Sequence, residues 1–427
     1  MPSIKWNQLV STGGPPEGHR HYLSRSTAEN LLTKNLSRRS DLCAMAHDIK
    51  CPEIPLNIQD VILPKKNISV LDILDFSLPG IARQSSSASG ILQPMTFFST
   101  QDATTTDLRK IQQIPLPPLS ILEHLLQATE LRNAQSIVCQ HVHSLTGLHF
   151  PPWIVTYWAE VARIRTVKNK WILAEESMEL QKKGNLHQTE ETKDLITRVY
   201  NALATISWSV TVQGFPGTVS VDCLAAYMTK EWLTDEHENQ MLHLLGLELA
   251  RGGEGEGIYV AETFFMPLLI GAYKKSDRTS QYATASSYDW LRTKGQEFGT
   301  GILDKLATIA NVGGNHWVAV VIDFRLSQIL YGDSLGGTIT EEIETVLIWW
   351  IHHHTGQQFT TNRLPITRQR DGYSCGMMAW NAVATNVLPK NYMLMKSDRD
   401  GVADERLKMF LHVSERHNDK VDVAFEN

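Results

Sequence analysis

The sequence predicts an α+β protein, and three observations carry that reading. The C-terminal half alternates strand-like and helix-like segments. One of its strands, "HWVAVVIDF", is apolar on both faces, as a central strand must be. The 427 residues are 42% apolar and 20% charged, an ordinary globular mixture with room for two domains or one domain and an appendage. Other classes fall away. Glycine (27) and proline (17) are too few for a low-complexity chain. A net charge of −6 does not hold a chain to nucleic acid by bulk charge, so no nucleic-acid partner is expected. No apolar run approaches the ~20 residues that span a bilayer. The N-terminus has no apolar stretch ending in a small-residue cleavage site, so an intracellular protein with no membrane partner is expected. Five scattered cysteines (Cys43, Cys51, Cys139, Cys223, Cys375) make no disulfide framework, which leaves one cysteine used for chemistry as the pattern to look for.

Three regions follow in order. Residues 1–115 are rich in turn residues and read as loosely organised, with the Ser-rich stretch Gln84–Gly90 as a flexible loop. Residues 116–193 read as a helical appendage. Ile121, Leu125, Ile137 and Val138 sit near helical spacing with Ser120 as cap. A second helix follows Pro151–Pro152, with Ile154, Trp158, Val161 and Ile164 or Arg165 on one face. Its polar end, Lys182–Lys193, reads as a linker. Residues 194–427 form the main domain. "TISWSVTVQGF" alternates like a strand or hairpin arm. "SVDCLAAYM" and "DEHENQMLHLLGLELA" read as helices, and "GIYVAETFFM" as a strand running into an apolar segment. "HWVAVVIDF" and "QILYGDSL" form a hairpin. "EEIETVLIWWIHHHTG" is a helix stopped at Gly356, and "CGMMAWNAVATNV" a helix closed before Pro389.

Chemistry-bearing residues gather at two places in that last region. Cys375 opens a helix behind Ser374, a good cap, and a helix N-terminus favours a thiolate. Gly376 then leaves room for another chain to approach. Taken alone, Cys375 reads first as a buried structural cysteine that starts a core helix. His316 opens the central strand. With the hairpin centred between Phe324 and Arg325, His316 falls opposite Asp333, where a carboxylate can hold the imidazole in one tautomer. Asp323, at the turn, has a structural role. Gln369, six residues before Cys375, offers an amide to an oxyanion, with the Cys375 N–H as second donor. Base, orienter, oxyanion donor and nucleophile are then all present. His352–His354 lie at a helix end, where adjacent positions do not converge on one ion, so no metal is assigned to them.

These residues resemble the catalytic blocks of the ubiquitin-like-protein proteases, the Ulp or sentrin-specific class of SUMO-deconjugating cysteine peptidases. The resemblance rests on "NHWVAVVIDF", "ILYGDSLGG" and "TRQRDGYSCGMMAWNAV", with Asp333 seventeen residues after His316 and Gln369 six before Cys375. "EWLTDEHENQMLHLL" and "ETFFM" resemble two further blocks, so the likeness covers roughly residues 200–427. It implies a papain-like core, a central mixed sheet flanked by helices, with no cofactor. It implies His316 as general base, Asp333 as its orienter, Cys375 as nucleophile and Gln369 as oxyanion donor. Trp232 and Trp317 match the pair that walls a narrow tunnel for a Gly-Gly tail, although Trp232 is also a natural core anchor. Asp235 matches an acidic position that meets a basic residue on the modifier, although helix dipoles favour acids there too. The partners implied are a SUMO-like modifier and its conjugates. Ser374 and Thr234 depart from the usual Asp and Asn and leave the modifier open. A viral-protease-like endopeptidase, a Yop-type acyltransferase and a catalytically silent binding module are the alternatives.

Overall fold

The computed structural model describes residues 51–82, 97–128, 133–138, 147–184, 190–253, 255–275 and 278–425. Gln84–Gly90 lies outside them. Two compact units emerge, and each is built around its own apolar residues.

One unit comprises the described residues from Cys51 to Glu176 together with Leu203–Val210. It holds α1 (Leu56–Ile62), α2 (Val70–Asp75), β1 (Phe98–Ser99), α3 (Leu108–Gln113), α4 (Leu119–Gln127), β2 (Ser136–Val138), β3 (His149–Phe150) and most of α5 (Ile154–Gly184). Ser69 and Asp72 close a capping box that starts α2. The expected helix through Ile121–Val138 stops at Gln127. Ile137 and Val138 lie instead in β2, where Ile137 pairs with both Phe98 and Phe150. β-branched residues between two aromatic partners suit a small sheet better than a helix. Pro118, not Ser120, holds the N-cap of α4. The double proline does precede a helix: in α5 Ile154, Trp158, Val161 and Ile164 are buried.

The second unit comprises Ser177–Ala202 and Thr211–Asn427. The polar stretch read as a linker is helical at both ends. Lys182 ends α5 in a pair with Glu179, and Lys193 pairs with Glu190 in the first turn of α6 (Glu190–Thr205). Solvated helix ends and linkers share a composition, and only the pairing separates them. "TISWSVTVQGF" forms no continuous strand. Ser207 and Thr211 make single bridges to Ser69 and Ser220, and Ile206, Trp208 and Val212 are buried one by one.

A 3-10 helix (Val221–Met228) precedes α7 (Asp235–Gly252), β4 (Ile258–Val260), α8 (Phe265–Tyr273), α9 (Arg278–Thr284) and α10 (Asp289–Gly299). Next come β5 (Lys305–Val312), β6 (His316–Asp323), β7 (Gln328–Gly332), α11 (Glu341–Thr355), β8 (Thr360–Arg363), α12 (Cys375–Val387) and α13 (Arg399–Phe425). The sheet order is β4-β5-β6-β7-β8, parallel at its two outer pairings and antiparallel in the middle. β6 is therefore central and buried almost throughout, as its two apolar faces required. Val318, Val320 and Ile322 pack towards Phe265, Leu347 and Trp350 of α8 and α11. α12 packs against β5 and β6. Covering both faces brings the head of α12 to the end of the sheet where β6 begins.

Candidate active site

His316 owes its place to two glycines. Gly313 and Gly314 both take positive φ (64° and 75°), which lets β5 reverse tightly into β6 with Val312 opposite His316. The imidazole stands partly buried at the sheet's end, its Nε2 2.8 Å from Asp333 Oδ1. The strand register behind this contact differs from the expected one. Asp323 pairs with Gln328 and Ala319 with Gly332, so the hairpin turns over four residues, Phe324–Ser327. β7 ends at Gly332, and Asp333 reaches His316 from just beyond the ladder, not from the directly opposite position. The turn needs a left-handed residue at Ser327 (φ 51°), and Asp323 Oδ1 accepts the Leu326 N–H at 2.9 Å. Asp323 is structural, as read.

Asp333 is itself held. Its Oδ1 accepts the Leu335 N–H at 2.7 Å and its Oδ2 the Gly337 N–H at 3.1 Å. Burial works against its charge, but His316 and these two N–H groups outweigh burial and lower its pKa. His316 has the converse balance. Burial disfavours the imidazolium, yet hydrogen bonding and charge from Asp333 and Cys375 outweigh it and push the pKa up to about 9. The imidazole thus touches both the carboxylate and the thiol, and Nδ1 is the nitrogen left for sulfur.

Cys375 is 4% exposed at the first position of α12. Ser374 occupies the N-cap, but its hydroxyl makes no cap bond; it donates to Asp371 Oδ2 instead. Asp371 Oδ1 accepts the N–H groups of Tyr373 at 3.0 Å and Ser374 at 2.9 Å. One carboxylate therefore shapes the loop that leads into Cys375. Gln369, also buried, is tied in through the same loop. Its Nε2 donates to the Asp371 carbonyl at 2.8 Å, its Oε1 accepts from Ser334 Oγ at 2.8 Å, and its N–H reaches the Ser334 carbonyl at 2.9 Å. Sequence reasoning missed Asp371 and Ser334. An Asp three residues before a helix-opening Ser is a turn signal that could have flagged the first.

The two tryptophans frame this loop. Trp317, buried next to His316, donates from Nε1 to the Leu233 carbonyl at 2.8 Å. Trp232 donates from Nε1 to the Gly372 carbonyl. The segment before α7 is thereby pinned both to β6 and to the loop before Cys375. Thr234 and His237 form the capping box of α7. Asp235 stands exposed in its first turn, where burial by its surroundings and then the neighbouring Glu236 raise its carboxyl. Gly376 does not open towards solvent as expected. A Cβ there would collide with Glu238 Oε1 and lie 3.4 Å from Trp317 Cδ1, so the protein itself fills that space.

The structure therefore joins His316 directly to Asp333, sets Cys375 close enough to raise the imidazole's pKa, and ties in Gln369 through Ser334 and Asp371. Trp317 and Trp232 lie beside them, and Asp235 faces solvent. An imidazole held between a carboxylate and a thiol can share the thiol's proton and return it to a leaving group. His354 of the histidine run packs its ring under Gly295 and lies 2.8 Å from the Tyr282 hydroxyl, a packing role.

Residues 231–416 match the family model described as the Ulp1 protease family, C-terminal catalytic domain. No curated protein matches the chain. Among solved structures, it is similar to the C-terminal Ulp1 protease domain in complex with Smt3, the yeast orthologue of SUMO. The identity is 19% over 54% of this chain and 96% of that one, with a TM-score of 0.40. It is also similar to the Chaetomium thermophilum Ulp1-like SUMO protease catalytic domain, at 16% identity over 53% and 90%, TM-score 0.38. A third is the Xanthomonas campestris effector protein XopD bound to ubiquitin, at 21% identity over 42% and 90%, TM-score 0.30.

Proposed function

We propose, from the premise that residues 231–416 carry the cysteine-protease catalytic domain of the Ulp1 family, that this chain cleaves after the C-terminal Gly-Gly of a SUMO-like modifier. The observation that carries the reading is the His316 imidazole, held by Asp333 and touching Cys375 at the head of α12. The Cys375 thiolate attacks the scissile carbonyl carbon and forms a C–S bond. The oxyanion is met by the Cys375 N–H and the Gln369 amide. His316 protonates the leaving amine as the C–N bond breaks, which leaves a thioester. It then takes a proton from water, whose oxygen displaces the sulfur. Asp333 holds the imidazole's orientation through both halves.

Trp232 and Trp317 supply the selectivity in this reading. Both indoles are pinned to backbone carbonyls, and in this reading they wall a slot that admits glycine and excludes a side chain. Asp235, exposed at the start of α7, meets a basic residue of the modifier. The substrates are the modifier's precursor and its conjugates, in the nucleus or cytoplasm. Among the described residues no helix is long and apolar enough to cross a membrane.

The test is covalent labelling of the purified full chain by a panel of ubiquitin-like modifiers carrying C-terminal electrophiles, with Cys375→Ala as control. An adduct with a SUMO-like modifier that vanishes in Cys375→Ala is the expected result. Selective alkylation of Cys375 by a small thiol reagent, with no adduct from any modifier, would overturn the reading. An internal-site peptidase or an acyltransferase would replace it.

A further inference from the structure

Glu238 is a buried acid that the mechanism above does not use. It is the fourth residue of α7, one turn beyond Trp232–Asp235, and it has no exposed surface. Neither carboxyl oxygen has a hydrogen-bond partner. The side chain runs beneath the first turn of α12, so that a Cβ on Gly376 would collide with Oε1, meet Cδ at 3.0 Å and the Trp317 ring at 3.4 Å. The residue after the nucleophile thus rests directly on this carboxyl, with the indole beside it.

Two groups from other elements face Glu238. Arg406 of α13 is fully buried, but it donates to the carbonyls of Tyr227, Ala226 and Glu231 and not to Glu238. Tyr227 of the 3-10 helix gives its hydroxyl to the His237 carbonyl and Gln240 Oε1. Cys375, next to Gly376, is the third titratable neighbour. A carboxylate in this place would be an unpaired buried charge under a forming thiolate; the neutral acid still lacks a partner for its O–H but carries no charge. Burial raises the Glu238 pKa to about 8, and the attraction of Arg406 offsets that only in part.

We propose that Glu238 is a positioning residue for the nucleophile: its protonated carboxyl fills the space between Gly376 and Trp317 and so fixes the height of Cys375. The proposal deepens the protease reading and rests on Cys375 being the nucleophile, but on no particular substrate.

The experiment is alkylation of Cys375 by iodoacetamide in the full chain, measured against pH for wild type, Glu238→Gln and Glu238→Ala. Thermal melting checks that each variant is folded. Glu238→Ala removes the support and is expected to slow alkylation about tenfold at pH 7, because sub-ångström errors at a reacting atom are costly. Glu238→Gln keeps the shape and cannot ionise. Its rate should therefore hold as pH rises through about 8, where the wild-type rate falls. The infrared carbonyl stretch of a protonated acid should be present in wild type at pH 7 and absent from Glu238→Gln. Identical pH profiles for wild type and Glu238→Gln, or no such infrared difference, would overturn the proposal. Iodoacetamide reads the thiol whichever modifier is the substrate, so failure of every modifier probe would count against the protease reading and leave this test intact.

Discussion

At the scale of single residues, the balance around His316 sets a pH dependence whose sign can be worked out. Its folded pKa is raised, from an ordinary value near 6.5 to about 9, by Asp333 and Cys375 acting against burial. The stability it contributes is fully present below about 6.5 and is lost as pH rises through about 9. Peptidase turnover should fall over the same upper limb as the imidazolium loses its proton. Asp333→Asn removes the carboxylate that raises the pKa, so the limb should move to lower pH and turnover should drop by at least tenfold. A pH–rate profile of the two proteins checks this; an unmoved limb would show that Asp333 does not govern the imidazole. Asp371 calls for a second measurement. Its side chain accepts two backbone N–H groups and one hydroxyl in the loop before Cys375, and a longer bond from Gln369 Nε2 at 3.3 Å. Asp371→Ala should cost about 3 kcal/mol in denaturant unfolding, against about 1 kcal/mol for Ser374→Ala, which removes one of those bonds. Spacing made His316, Asp333, Gln369 and Cys375 legible in the sequence. The hairpin geometry offered for the His–Asp pair was two residues out, because a four-residue turn and a two-residue turn look alike in "DFRLSQ". Asp371 was hidden because an Asp in a polar loop looks like solvated surface until its acceptors are seen to be filled.

At the scale of elements, the contact between α7 and α12 constrains the site. Gly376→Ala puts a methyl group where Glu238 Oε1 lies, with Trp317 preventing retreat on the other side. The substitution should destabilise the chain by about 1–3 kcal/mol as overpacking. Glu238→Ala creates a void at the same point. Combined, the two changes should cost less than the sum of their separate effects, with a coupling of about 1 kcal/mol or more in a double-mutant cycle of thermal melts. Additive costs would show that the two groups do not share the space. The elements that sequence reading placed well, β6, β7, α7, α11 and α12, all have strong periodicity or clear stops such as Gly356, whose φ of 67° ends α11. Those it misplaced lacked a period of their own. Three residues of strand at Ser136–Val138 carry no period, and their identity comes from Phe98 and Phe150, distant in sequence.

At the scale of the whole molecule, the division into two units gives a truncation test that sequence composition would have set at the wrong place. A cut near residue 190, inside the polar stretch read as a linker, would remove Gln181 while keeping Thr192, although both hydrogen-bond the Asp404 carboxylate of α13 at 3.0 Å. Asp404 is partly desolvated, which raises its pKa, and Thr192 offsets that in part. A cut before Ser177 keeps both partners together with His316, Asp333, Gln369 and Cys375. It leaves one defect. Leu203–Val210 belong with the removed unit, where Trp208 Nε1 donates to the Lys65 carbonyl at 2.8 Å and the Ile206 carbonyl accepts from Val70 at 2.9 Å. In a 177–427 chain those two apolar side chains lose the partners that bury them, and exposed Trp and Ile invite association. Replacing Ile206 and Trp208 by Ser in that chain should restore a monomer while iodoacetamide labels Cys375 within about twofold of the full-length rate. A 211–427 chain, without either partner of Asp404, should melt several degrees lower than 177–427. If the 177–427 chain with both serines folds but its Cys375 no longer reacts, the N-terminal unit contributes to the reactive geometry. If it reacts as the full chain does, catalysis belongs to the second unit alone, and the first is free to serve recruitment.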